Sequence, residues 1–96
     1  MSNKYEKQHM AKVAALGCCV CRRVGFGQVD AEVHHIALGS GKRSDFAVAP
    51  LCVEHHRGQS GLHGKGTKAF VVAYRVPGET EYGLLVWVAE DLARSQ

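Results

Sequence analysis

An α+β fold, with a short two-stranded hairpin set among helices around a core that needs reinforcement, is predicted by three features of this 96-residue sequence. Helical periodicity marks both ends of the chain. Strand-like stretches flank a turn in the middle, and two clusters of cysteine and histidine accompany those strands. The length fits one domain over residues 1–96 with a core of modest size. Cores this small usually gain disulfides or a metal.

The elements follow in order. Residues 3–16 read as a helix, with Tyr5, Met10, Val13, Ala14 and Leu16 roughly on one stripe and Gly17 as the stop. A cysteine turn comes next. Gln28 to Ile36 suits a strand, Gly39-Ser40-Gly41 is a turn signal, and Phe46 to Ala49 suits a returning strand. Pro50 is expected to end that strand and open a short helix from about Leu51 to Arg57. Glycines at 58, 61, 64 and 66 then suggest a flexible loop carrying His63. A helix over about 67–75 places Phe70 and Tyr74 at i,i+4, and Pro77-Gly78 ends it. A last helix over about 80–94 puts Leu85, Val88, Ala89 and Leu92 on one face, although Leu84 to Val88 alone also suits a strand. Phe70, Tyr82 and Trp87 are expected in the core.

The two clusters are Cys18-Cys19-Val20-Cys21 and Cys52-Val53-Glu54-His55-His56. Four cysteines could form two disulfides, the default in a secreted chain. Against this, the N-terminus lacks the apolar core of a signal peptide, Cys18, Cys19 and Cys21 are too close for a pairing framework, and histidines stand beside the cysteines. Cysteine pairs separated by two residues bite one tetrahedral zinc, at ~2.3 Å from each thiolate. The zinc set is then Cys18, Cys21, Cys52 and His55, with Cys19 a bystander. His34, His35 and His56 are left over, and a structural zinc does not need them. On a helix, Cys52 and His55 share a face while His56 is turned by about 100°. On a strand, His34 and His35 point to opposite sides, so one can bind a metal while the other approaches a substrate.

Charge is mildly basic: 12 Lys and Arg against 9 Asp and Glu, a net +3. That is compatible with a polyanionic partner. Arg22, Arg23, Lys42, Arg43, Arg57, Lys65 and Lys68 follow the clusters, whereas Glu79, Glu81, Glu90 and Asp91 gather toward the other end. No run approaches the ~20 apolar residues of a membrane span, and a cytoplasmic location is expected.

Ala31-Glu32-Val33-His34-His35-Ile36, Pro50-Leu51-Cys52-x-x-His55-His56-Arg57 and Gly61-Leu62-His63 together resemble the HNH nuclease superfamily with its ββα-metal site. More narrowly they are similar to the phage recombination-enhancement nuclease group and related small prophage HNH proteins, over about Lys7 to Tyr74. The resemblance implies a zinc knuckle and ββα core over about 17–66, a C-terminal helical part over about 67–94, and a metal-dependent DNA endonuclease. It implies His34, His56 and His63 as ligands of a divalent cation (Mg²⁺, Mn²⁺ or Zn²⁺) and His35 as the general base. The family's middle asparagine has no counterpart, because Asn3 is the only Asn; Asp45 lies nearest to its role of orienting His35. Lys42, Arg43 and Arg57 would neutralise flanking phosphates. Some relatives act on DNA presented by a recombinase filament through basic residues preceding the domain. This chain starts almost at the domain, so dependence on a filament is not expected. The rival reading is a non-catalytic zinc module that binds nucleic acid or protein.

Overall fold

The computed structural model describes residues 2–95. The helices are α1 (Lys4–Ala15), α2 (Cys19–Val24), α3 (Val53–Arg57), α4 (Leu62–Lys65), α5 (Thr67–Ala73) and α6 (Gly83–Arg94). Strands β1 (Glu32–His35) and β2 (Val48–Leu51) lie between α2 and α3, and 3-10 turns occupy Gly39–Gly41 and Pro77–Glu79. The class is α+β, as the sequence predicts. Among the described residues no helix is long and apolar enough to cross a membrane.

Helix α1 starts at a capping box, in which the Asn3 side chain accepts from the Glu6 N–H and the Glu6 carboxylate accepts from the Asn3 N–H. It buries Val13, and Leu16 follows it into the core; Tyr5, expected on the same stripe, is exposed. The cysteine turn proves to be a helix. Cys18 caps α2, its thiol accepting the Cys21 N–H, and its own N–H reaches the Val29 carbonyl at 2.8 Å. That bond holds Val29 outside the sheet, so β1 begins four residues later than the apolar pattern predicts.

The strands pair antiparallel, with His34 opposite Ala49 and His35 opposite Val48. Pro50 does not end β2 but lies inside it, opposite Val33. The Ile36 N–H donates to the Ala47 carbonyl, so alternation along the ladder makes Val33 and Pro50 a non-hydrogen-bonded pair. A missing N–H costs nothing there. Helix α3 consequently starts at Val53, with Cys52 rather than Leu51 at its head.

The glycine segment also departs from expectation. It is a second short helix, α4, packed backbone to backbone on α3. A Cβ on Gly61 would stand 2.4 Å from the Glu54 carbonyl oxygen, and one on Gly64 would stand 2.0 Å from the Gly58 carbonyl oxygen. These glycines permit close approach rather than flexibility.

Helix α6 is helical throughout, but its inner face is turned from the expected one. Leu84, Trp87, Val88 and Asp91 are buried, Ala89 is exposed, and Leu85 and Leu92 lie at the edge of the core. Tyr82 is half exposed. The turn follows from Arg23 on α2. Its guanidinium lies over the Trp87 ring at 4.6 Å and makes two bonds to Asp91, at 2.9 and 3.0 Å. A buried aspartate thus faces inward because an arginine meets it there.

Candidate functional site

Two helix heads build the first cluster. Cys18 caps α2 and Cys52 caps α3, and each thiol accepts an N–H three residues on, from Cys21 and His55. The caps thereby turn all four side chains toward one point. Cys21 Sγ lies 3.7 Å from Cys52 Sγ, and His55 Nδ1 lies 3.2 Å from Cys52 Sγ, 3.4 Å from Cys21 Sγ and 3.6 Å from Cys18 Sγ. A zinc tetrahedron has edges of about 3.8 Å between sulfurs and about 3.6 Å between sulfur and nitrogen. The donor set therefore fits a tetrahedral thiophilic cation.

Burial pushes the Cys18 thiol up against opposing backbone hydrogen bonds, burial and then the Cys18 and Cys52 thiols push Cys21 up, and burial pushes the His55 imidazole down. A dication in place of the thiol protons removes that penalty. The Tyr74 ring covers His55 edge-on at 5.2 Å. Cys19 stands outside the cluster, fully buried in the core; its thiol is pushed up to about 12 by burial and then by Cys18.

A second cluster contains no cysteine. His34 from β1, His56 from α3 and His63 from α4 place one ring nitrogen each within 4.8 Å of one another. His34 Nδ1 and His56 Nε2 are 3.3 Å apart, and the centroid of the His63 ring lies 4.8 Å from that of His56, tilted to it, and 5.4 Å from that of His34, edge-on. On the outer side of the His34 and His56 rings stands a carboxylate. Glu81 Oε2 meets His34 Nε2 at 2.5 Å, and Glu32 Oε1 meets His56 Nδ1 at 2.7 Å. With the ring protons given to the carboxylates, the inner nitrogens are two lone pairs facing each other. Such a pair is stable only with a proton or a cation between it. Burial pushes the His34 imidazole down, with Glu81 opposing, which disfavours the proton. Two nitrogens at ~2.1 Å from one cation lie about 3.0–3.4 Å apart, so the spacing fits a metal.

His35 takes no part in this trio and meets Asp45, Nε2 to Oδ1, at 2.7 Å. Asp45 also accepts from the Ser2 hydroxyl, and these two partners, Ser2 first, hold its carboxyl below the usual carboxylate range. His34, His35, His56 and His63 open with Arg43 and Val33 on one cleft of about 300 Å³.

Of the three cations expected on phosphates, only Arg43 lines this cleft, braced by a bond to the His35 carbonyl. Lys42 is exposed and stands outside the cleft lining. Arg57 is held in a two-pronged pair with Glu32, at 2.8 Å for each bond. Glu32 and Glu81 were missed as site residues by sequence reasoning. Glu32 opens the strand that carries His34, which is a usable signal; Glu81 lies 47 residues from its partner and offers none.

Fold and site together define a small α+β protein with two candidate metal sites, one cysteine-rich and one all-histidine. The chain belongs to the family described as recombination enhancement, RecA-dependent nuclease, whose model matches residues 3–93. No curated protein and no solved structure matches it. The family match spans both clusters, helices α1 to α5 and all but the last residue of α6, and it carries a nuclease role in recombination.

Proposed function

We propose that this protein is a metal-dependent DNA endonuclease of HNH type that serves phage or prophage recombination. In this reading Cys18, Cys21, Cys52 and His55 hold a structural zinc, and His34, His56 and His63 hold a catalytic Mg²⁺, Mn²⁺ or Zn²⁺. The single observation that carries it is the second donor set. After four tetrahedral ligands are taken, three more imidazoles converge, two with lone pairs 3.3 Å apart and carboxylates behind them. A zinc module that only binds has no use for that set.

The chemistry divides among the residues of the cleft. A divalent cation on the histidine trio supplies Lewis-acid stabilisation of charge on the phosphate and the departing oxygen. His35, whose Nε2 is bonded to Asp45, presents Nδ1 to an attacking water and takes its proton as oxygen bonds to phosphorus. The 3′ oxygen leaves as the bond to phosphorus breaks. Asp45, kept ionised by Ser2 and His35, favours the Nε2–H tautomer that leaves Nδ1 free to act. Arg43 pairs with a phosphate at the cleft rim.

The family description ties its nuclease to RecA, against the expectation of filament independence. The test is therefore run on plasmid DNA alone and on RecA-coated DNA, in Mg²⁺ and in Mn²⁺, with a zinc count on the purified protein. Cleavage that needs the divalent cation, on either substrate, supports the proposal. Absence of cleavage on both substrates in both metals overturns it.

A further inference from the structure

We infer that Glu81 is a positioning residue for the histidine trio, setting which nitrogen of His34 faces the cation. The inference rests on the reading of His34, His56 and His63 as a metal site. Glu81 Oε2 stands 2.5 Å from His34 Nε2, on the side of the ring away from His56. An ionised carboxylate only accepts, so a neutral His34 keeps its proton on Nε2 and its lone pair on Nδ1. The opposite tautomer is disfavoured twice. It would set the Nε2 lone pair against a carboxylate oxygen and aim the Nδ1 proton into the ligand cluster.

Water is a poor substitute for this contact, because His34 is only 5% exposed. Glu32 offers His56 the same kind of contact but is shared with Arg57. Glu81 has no other side-chain partner among the described residues. Its position is fixed from outside the ββα unit. Glu81 sits just ahead of α6, where its carbonyl accepts the Leu84 N–H at 3.1 Å, and α6 is anchored on α2 by Arg23 and Asp91. The C-terminal helix is thereby part of the site. Carboxylate partners of this kind fix the tautomer of metal-bound histidines and are typically worth about 10- to 100-fold in metal affinity.

The experiment compares wild type with Glu81→Leu, Glu81→Ala and Glu81→Gln in zinc-loaded protein. Leucine and alanine remove the acceptor; glutamine retains an oxygen that can accept from Nε2. Long-range ¹⁵N–¹H spectra report the His34 tautomer without added metal, and calorimetry reports Mn²⁺ affinity. Glu81→Leu and Glu81→Ala are expected to lose the single Nε2–H tautomer and about 10- to 100-fold in Mn²⁺ affinity. Glu81→Gln is expected to keep the tautomer and most of the affinity. Unchanged His34 spectra and Mn²⁺ affinity in Glu81→Ala overturn the inference. Equal losses in Glu81→Gln and Glu81→Ala would assign the effect to charge and overturn it too. If wild type binds no Mn²⁺ while Glu81→Ala still scrambles the tautomer, the metal reading falls and the orienting role stands.

Discussion

Asp45 Oδ1 stands 2.7 Å from His35 Nε2, so a carboxylate from the connection between the strands is bonded to the second histidine of β1. The contact gives His35 a defined tautomer, and the Ser2 hydroxyl on the other carboxylate oxygen holds Asp45 still. Ser2, far from Asp45 in the chain, thus bears on the His35 imidazole through that carboxylate.

The first prediction follows from that pair. His35→Ala should keep the fold and the zinc while lowering cleavage by roughly 10²-fold or more. Asp45→Ala should lower it by a smaller factor, at least about 10-fold, because the ring can then take either tautomer. Asp45→Asn, whose carbonyl still accepts from Nε2, should fall between Asp45→Ala and wild type. Nicking rates on one plasmid substrate decide the order, with circular dichroism to show that each variant folds. Equal rates for Asp45→Ala and wild type would remove Asp45 from the site.

Much of this site is legible in the chain itself, because local spacing carries it. Cys18 and Cys21, Cys52 and His55, and the turn between His55 and His56 are consequences of helical geometry over three or four residues. What is not legible depends on contacts across the fold. Glu81 is an ordinary surface acid until α6 packs and brings it to His34. The inner face of α6 is misread because Asp91 counts as polar in any periodicity, yet Arg23 makes burial favourable there. Pro50 reads as a strand stop because the hydrogen-bonding parity of a position is invisible before the register is known. Gly61 and Gly64 read as flexible because composition does not distinguish a mobile glycine from one pressed against a neighbouring carbonyl.

The cysteine cluster gives the second prediction. A structural zinc site contributes on the order of 10 kcal/mol to folding, comparable with the entire stability of a small domain. Cys52→Ala removes a ligand and the cap of α3 together, and should give unfolded or insoluble protein. Cys19→Ala only trims a buried thiol beside the cluster and should fold with one zinc bound. Metal analysis and thermal melting of both variants test the assignment, which fails if the two behave alike.

Arg23 and Asp91 carry the third. The Asp91 side chain is fully buried, and Arg23 is 20% exposed. Asp91→Ala leaves Arg23 facing the core without its two-pronged partner, and should cost about 3 kcal/mol, the low end for breaking a buried pair because Arg23 keeps some water. Glu90→Ala removes a contact at the exposed rim and should cost under about 1 kcal/mol. Urea unfolding of the zinc-loaded protein separates the two values.

The last prediction concerns how His63 is delivered. Its ring lies against both His34 and His56 because Gly61, at the head of α4, sits on the α3 backbone and Gly64 sits on Gly58, the residue that follows α3. A methyl group on Gly64 would stand 2.0 Å from the Gly58 carbonyl oxygen, a backbone contact that requires α4 to shift away from the end of α3. Gly64→Ala should therefore weaken Mn²⁺ binding at the histidine trio without touching any ligand, and His63→Ala should weaken it directly. Both variants should retain the zinc, since Cys18, Cys21, Cys52 and His55 lie on α2 and at the head of α3, away from the displaced helix. Anomalous scattering from crystals soaked in Mn²⁺ reads each site separately. A manganese peak on His34 and His56 of undiminished occupancy in both variants would show that α4 does not complete the site.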